Sequence, residues 1–168
     1  KSRIRARWPM KFEDSSGNIT NTITSTESMG YIFDNSVINF YHNTMYGGTH
    51  CGLNAGNNSI VHAYNNIITG VHMGFRSGSG AVVTADYNLM HDNTFNYHAV
   101  SPGIINWGTN NLVNTDPELV DPLNEDFHLK PSSRAIDAGD SEIEVADDMD
   151  SDSRPQGASS DIGADEAM

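Results

Sequence analysis

Apolar residues recur along this chain at two spacings at once. Within "FYHNTMYGG" (40–48), "HAYNNIITG" (62–70) and "TADYNLMHD" (84–92) they alternate with polar ones over a few positions. That alternation predicts short strands, and no stretch carries a helical period. The strands themselves then repeat. An Asn precedes an apolar pair at Asn21, Asn43, Asn66, Asn88 and Asn111, in steps of 22, 23, 22 and 23. Two residues after each stand Ile23, Met45, Ile68, Met90 and Val113. Five residues before the middle three come Ile38, Val61 and Val83, and three before come Phe40, Ala63 and Ala85. A second marker, Gly30, Gly52 and Gly74, keeps the same step of 22 and is followed each time by Tyr31, Leu53 or Phe75.

Two markers holding one period predict a solenoid. At ~3.3 Å per residue a coil of this length holds three short strands and their turns, and coils stack at the ~4.8 Å spacing of paired strands. Like positions then lie above one another. An Asn at one corner of every coil is suited to a left-handed turn and to passing amide hydrogen bonds along the stack. Ile, Val and Met are expected to point inward as apolar ladders. A leucine-rich repeat is the competing solenoid, but its third apolar position would fall on Asn35, Asn58 and Gly80. The expected fold is therefore all-β: a right-handed parallel β-helix of about five coils of 22–23 residues. Residues 19–114 form the coils, 1–18 an N-terminal edge strand or cut coil, and 115–168 an acidic C-terminal cap over the last coil's edge.

Charge sharpens this division. The net charge of −13 is not spread evenly. Residues 1–114 hold six acids and six bases, whereas 115–168 hold sixteen acids against Lys130, Arg134 and Arg154. Such a tail repels nucleic acid and anionic membrane and attracts divalent cations. No apolar run approaches the ~20 residues that span a bilayer. The first residues, "KSRIRARWPMKFE", have neither an initiator Met nor an apolar signal core, which fits a mature product or a fragment. Cys51 stands alone, so no internal disulfide forms, and a buried inert thiol is expected there.

The tail carries two further stretches, "NTDPELVDPLNEDFHLKPSSRAIDAGD" (114–140) and "DSDSRPQGASSDIGADE" (150–166). Their succession resembles the C-terminal region of secreted bacterial β-helix proteins of the pectate-lyase-like class, whose ends vary in their cell-surface anchor. The resemblance covers about residues 19–166. It departs at Asp165, where the family pattern usually has an aromatic residue. It implies a secreted or cell-surface location, polysaccharide as partner, and a chain that is the C-terminal part of something longer. Some members of the class cleave uronic-acid polymers, others have no known activity, so chemistry does not follow from fold.

The candidate site residues fall into five groups. His50 and His72 each stand two before a marker Gly, so stacking places their rings in adjacent rows, as a metal or sugar-contacting pair or as plain ladder histidines at a turn. Tyr41, Tyr64 and Asp86 share the position two before the ladder Asn, and Asn39, His62 and Thr84 the position four before it. Both alternate with inward residues and face solvent, where aromatic rings beside polar groups suit a sugar surface. Arg76 is the only basic residue between Lys11 and Lys130. β-Elimination of a uronate needs a cation and a base, so one Arg and a few His make a thin catalytic set. Arg3, Arg5 and Arg7 alternate in "RIRARW", either to hold an anionic polymer or as the edge of a missing coil. Asp147, Asp148, Asp150 and Asp152 are spaced like oxygen ligands for a structural Ca²⁺, without the Gly and distal Glu of an EF-hand.

These readings support an extracellular module that binds an acidic glycan, or processes it in a longer parent. The alternatives are a non-catalytic structural or assembly protein, and a complete lyase in this chain alone. Ile4, Ala6 and Trp8 give residues 1–12 an apolar side, so this segment is expected to cover the N-terminal coil face or to mediate end-to-end self-association through it.

Overall fold

The computed structural model describes residues 10–25 and 30–167. The expectations placed on Arg3, Arg5, Arg7, Ile4, Ala6 and Trp8 lie outside these. Five coils follow one another. The first holds β1 (Met10–Glu13), β2 (Ser16–Thr20) and β3 (Ile23–Thr24), and the second β4 (Gly30–Phe33), β5 (Val37–Tyr41) and β6 (Thr44–Tyr46). The third holds β7 (Cys51–Ala55), β8 (Ile60–Tyr64) and β9 (Ile67–Thr69). The fourth has β10 (Met73–Ser77), β11 (Val82–Asp86) and β12 (Leu89–His91), and the fifth β13 (Phe95–Ala99), β14 (Ile104–Trp107) and β15 (Leu112–Val113). Each coil gives one strand to each of three five-stranded sheets, ordered β1-β4-β7-β10-β13, β2-β5-β8-β11-β14 and β3-β6-β9-β12-β15. Every pairing in these sheets is parallel. The chain is a parallel β-solenoid.

Inside it, Phe40, Leu53, Phe75, Val61, Val83, Met45, Ile68 and Met90 are fully enclosed. Large and small inward residues alternate between facing sheets: Gly30 shares a coil with Phe40, Leu53 with Ala63, and Phe75 with Ala85. That keeps the volume per coil nearly constant, as close packing requires. Gly52 and Gly74 stack because the column has no room, a Cβ on Gly52 lying 2.6 Å from the Gly74 carbonyl oxygen.

The Asn ladder runs through Asn43, Asn66, Asn88 and Asn111. Each Oδ1 accepts the backbone N–H of the rung before it at 3.0 Å, and each Nδ2 of the first three donates to the next Oδ1 at 2.8–3.1 Å. Two expectations at this corner need correction. Asn21 is not a rung, because the first coil is one residue shorter here and Thr22 N–H bonds Asn43 instead. Nor do the ladder Asn adopt the left-handed conformation. The residue before the rung position takes it in the first four coils, Asn21 before Thr22, then His42, Asn65 and Tyr87, with φ 49–57°. A separate shift, the 23-residue step from the second coil to the third, puts Gly30 opposite Leu53 rather than Gly52. Asn35, Asn58 and Gly80 also have positive φ, at 58°, 59° and 80°. A turn residue therefore stands where a leucine-rich repeat would need an inward apolar one.

The tail does not lie across the last coil. It turns back after Val113 and runs along the outer face of the third sheet. Ile23, Ile67 and Leu89 point outward there, into a second core with Leu119, Phe127, Leu129, Ala135, Ile162 and Ala164. Ile23, read from the pattern as inward, belongs to this core because it pairs with Thr44 and not Met45. β16 (Leu119–Asp121) and β17 (Asp126–Leu129) form an antiparallel hairpin in the tail. Further on, Ala164 N–H donates to Thr44 Oγ1 at 3.0 Å and Gly163 N–H to the Asn65 carbonyl at 2.8 Å. Gly163 has φ 109°, and a Cβ there would meet Ile67 Cδ1 at 2.6 Å, so the docked segment needs glycine. The physical reason is burial. A parallel sheet with both faces apolar must be covered on both, and here that outweighs covering one coil end. The last coil consequently leaves Phe95, Tyr97, Ile104 and Val113 exposed.

Candidate functional site

The second sheet is the one whose outer face shows a repeated, ordered pattern. Register sets three columns side by side. One is Ser16, Val37, Ile60, Val82 and Ile104; the next is Asn18, Asn39, His62, Thr84 and Asn106. The third is Thr20, Tyr41, Tyr64 and Asp86. Apolar, amide-rich and aromatic strips thus run parallel, the first two across five rows and the third across four. Val37, Ile60 and Ile104 are 41 %, 40 % and 51 % exposed, which is much for residues of this type. Asn39 Nδ2 donates to Asn18 Oδ1 at 2.9 Å, fixing part of the middle strip. Tyr41 and Tyr64 meet edge to face, their ring centroids 6.1 Å apart at 74°.

Burial pushes both Tyr hydroxyls above their ordinary pKa, and for Tyr64 the Asp86 and Asp140 carboxylates add to it. Both therefore stay neutral hydroxyls that can donate and accept. Asp86 itself is committed. Its Oδ1 accepts the Tyr87 and Asn110 N–H groups at 3.0 and 2.8 Å, and its Oδ2 accepts Asn110 Nδ2 at 2.9 Å. Its role is to hold the turn beside the Tyr strip.

The other predicted residues lie elsewhere. Arg76 is on the first sheet, in the column Tyr31, Asn54, Arg76, His98, and donates to Asn54 Oδ1 at 2.9 Å. His50 and His72 do occupy successive coils, at the corner before the first sheet, with His72 N–H on the His50 carbonyl at 3.1 Å. Both are exposed, and the His72 ring leans edge-on against Phe95, 5.6 Å between centroids. Cys51 is buried, and burial pushes its thiol pKa up. Asp148 is buried and holds its own loop: Oδ1 accepts Asp150 and Asp152 N–H at 2.7 and 2.9 Å, Oδ2 accepts Glu166 N–H at 3.1 Å. Asp147 makes a bridge with Ser153, and its carbonyl takes the Asn21 amide. Asp150 and Asp152 turn toward a cavity instead.

What the pattern did not single out is the apolar column Val37–Ile60–Val82–Ile104. The signal was present, two residues before each Asn39-type position. Also missed was a buried ionic knot that docks the tail. Arg154 Nη1 stands 2.7 Å from Glu166 Oε2, both side chains essentially without exposure. Glu166 also accepts Gln156 and Asp161 N–H at 2.8 and 2.9 Å. Beside it the fully buried His42 receives an N–H from Asn65 Nδ2 at Nε2 (3.0 Å) and faces the Asp161 carbonyl with Nδ1 (3.1 Å). That pattern defines the neutral Nδ1–H tautomer.

Burial lowers His42 from 6.5 to about 3, with the nearby Arg154 charge adding to it. The unfolded chain therefore takes up a proton that the folded one refuses as pH falls through 6.5, and stability is lost between pH 6.5 and 3. Asp161 works oppositely, since burial raises it to about 6, so the two offset each other over part of that range. A His42→Asn variant isolates the first term, Asn being at home in a left-handed position. The stability advantage of wild type over the variant should shrink by about 1.4 kcal/mol per pH unit on acidification from pH 6 to 4. Urea unfolding at each pH checks it, and a constant difference would remove His42 from the account.

No protein-family model, curated protein or solved structure matches this chain. Its class is therefore defined by its own architecture: a five-coil parallel β-solenoid with a tail docked along one flank and a patterned face on another.

Proposed function

We propose that this chain is a polysaccharide-facing module of an extracellular protein, and that the outer face of the second sheet is its binding surface. The Tyr41–Tyr64 pair carries the reading. Two half-buried rings stand in successive rows beside an amide strip and an apolar strip, which suits the apolar faces and hydroxyls of an extended sugar chain. The tail stretches that resemble secreted pectate-lyase-like β-helix proteins support the location and the substrate class. The charges near the Tyr strip shift the preferred ligand from acidic to uncharged. Asp86 and Asp140 border Tyr64, while Arg76 faces another side. The proposal is for binding.

Affinity electrophoresis in gels containing xylan, mixed-linkage β-glucan or pectate tests this. The neutral polymers should retard wild type, and Tyr41→Ala with Tyr64→Ala should abolish the retardation at unchanged melting temperature. Migration unaffected by every polymer sinks the reading, and retardation by pectate alone sinks its uncharged part. A second reading, a structural or assembly protein, draws on the exposed Phe95, Tyr97, Ile104 and Val113 of the last coil, beside the unpaired edges of β13, β14 and β15. Sedimentation of wild type against Phe95→Lys/Ile104→Lys distinguishes it by a concentration-dependent mass that the variant loses.

A further inference from the structure

Several tail acids have both oxygens committed to backbone N–H groups or to Arg154, as Asp148, Asp161 and Glu166 do. One cluster keeps carboxylate oxygens turned toward a histidine. His128 on β17, Asp150 in the loop held by Asp148, and Asp165 near the chain's end come from three separate segments. Their ligand atoms lie within 4.8 Å of one another. His128 Nε2 is 2.9 Å from Asp150 Oδ2, and Nδ1 is 2.5 Å from Asp126 Oδ1. One ring nitrogen is thus oriented by a carboxylate while the other looks into the cluster, the usual arrangement of a metal-binding imidazole.

Asp165 supplies an independent indication. Its residue is 5 % exposed, and Oδ2 accepts the Leu129 N–H at 2.8 Å. Among the described residues its other oxygen takes no hydrogen bond, and it sits beside His128 and Asp150. All three residues line one cavity of about 570 Å³, together with Asp152 and Gln156. A cation there would satisfy the idle oxygen and replace the proton shared by His128 and Asp150.

We propose that His128 Nε2, Asp150 and Asp165 form a binding site for a first-row divalent cation, with Zn²⁺ preferred. Ca²⁺ takes oxygen ligands, whereas an imidazole nitrogen with carboxylates selects borderline metals, and Zn²⁺ outranks Mn²⁺ in such sets. Ligands at ~2.1 Å from one ion stand roughly 3.0–3.4 Å apart. The cluster must close by at most roughly 1.8 Å, which the half-exposed His128 and Asp150 side chains can supply by rotation. The ion would pin the β16–β17 hairpin to the 147–153 loop. This site lies on the tail and stands or falls separately from the glycan face.

Isothermal titration of the whole chain with Zn²⁺, Mn²⁺ and Ca²⁺ tests it. Wild type should bind one Zn²⁺ per chain, Mn²⁺ more weakly, and Ca²⁺ weakest. His128→Ala, at a half-exposed position that does not threaten folding, should weaken Zn²⁺ by roughly 10-fold or more. Asp165→Asn, which keeps an acceptor for Leu129, should do likewise. Zn²⁺ should also raise the melting temperature of wild type but not of His128→Ala. A His50→Ala/His72→Ala variant, removing the exposed corner pair, should bind as wild type does. Unchanged Zn²⁺ affinity in His128→Ala, loss confined to the corner variant, or Ca²⁺ binding as tight as Zn²⁺ would each overturn the proposal.

Discussion

Arg154→Leu should cost about 3–5 kcal/mol and release the tail from the solenoid, the penalty expected when one member of a buried pair is removed. Glu166 would be left with a charge in a site that has no exposure, supported only by the Gln156 and Asp161 N–H groups. Arg154 also donates through Nη2 to the Gly163 carbonyl at 3.0 Å, so the segment that reaches Asn65 loses its backing as well. The pair is not an efficient source of stability in itself. Arg154 Nε is buried without a partner, and burial pulls the guanidinium pKa down. A double variant, Arg154→Leu/Glu166→Gln, should therefore recover a large part of the loss. Urea unfolding gives the energies, and limited proteolysis of residues 140–167 shows whether the tail has lifted. A single-variant cost below about 1 kcal/mol would mean that the apolar contacts alone hold the tail.

Asn66→Ala is the second large effect, about 3 kcal/mol. Asn66 Oδ1 accepts both the backbone N–H and Nδ2 of Asn43, at 3.0 Å each. Its Nδ2 donates to the Phe40 and Tyr64 carbonyls and to Asn88 Oδ1. Alanine leaves these groups buried without water, and each unsatisfied group carries its desolvation cost. Asn111→Ala should cost less, about 1 kcal/mol, because its rung is half-exposed and no Asn follows it. The gradient is the sharper test. Equal losses at the two positions, by thermal or urea unfolding, would show that the rungs do not support one another.

The class of fold was readable because a solenoid writes its structure at a fixed interval. Each rung of the ladder bonds a residue 22 or 23 positions away, so the same residue type must return at that spacing. The second-sheet face was readable for a similar reason. Tyr41, Tyr64, Asn39 and His62 alternate with enclosed residues, and alternation determines facing. Where the period slipped the reading slipped with it, at Asn21 through the shorter first coil and at Gly30 through the longer step from the second coil to the third.

The path of the tail was decided only in three dimensions. Its contacts join residues far apart, Thr44 with Ala164 and His42 with Asp161, at separations of 120 and 119 positions, and no repeat records them. One local trace existed: Ile67-Ile68 and Leu89-Met90 are adjacent apolar pairs where the second sheet alternates, as a strand covered on both faces requires. The roles of the tail acids left no such trace. In the sequence Asp148, Asp150 and Asp152 look alike, yet the fold turns the first onto three backbone N–H groups and the second toward His128. A carboxylate's function is set by which donors reach it, and here that depends on a chain that has doubled back along the solenoid. What the sequence determined by itself was the repeat and everything that repeats. Tertiary structure decided which acid is buried, which is paired and which is left to take a ligand, because those follow from contacts made once.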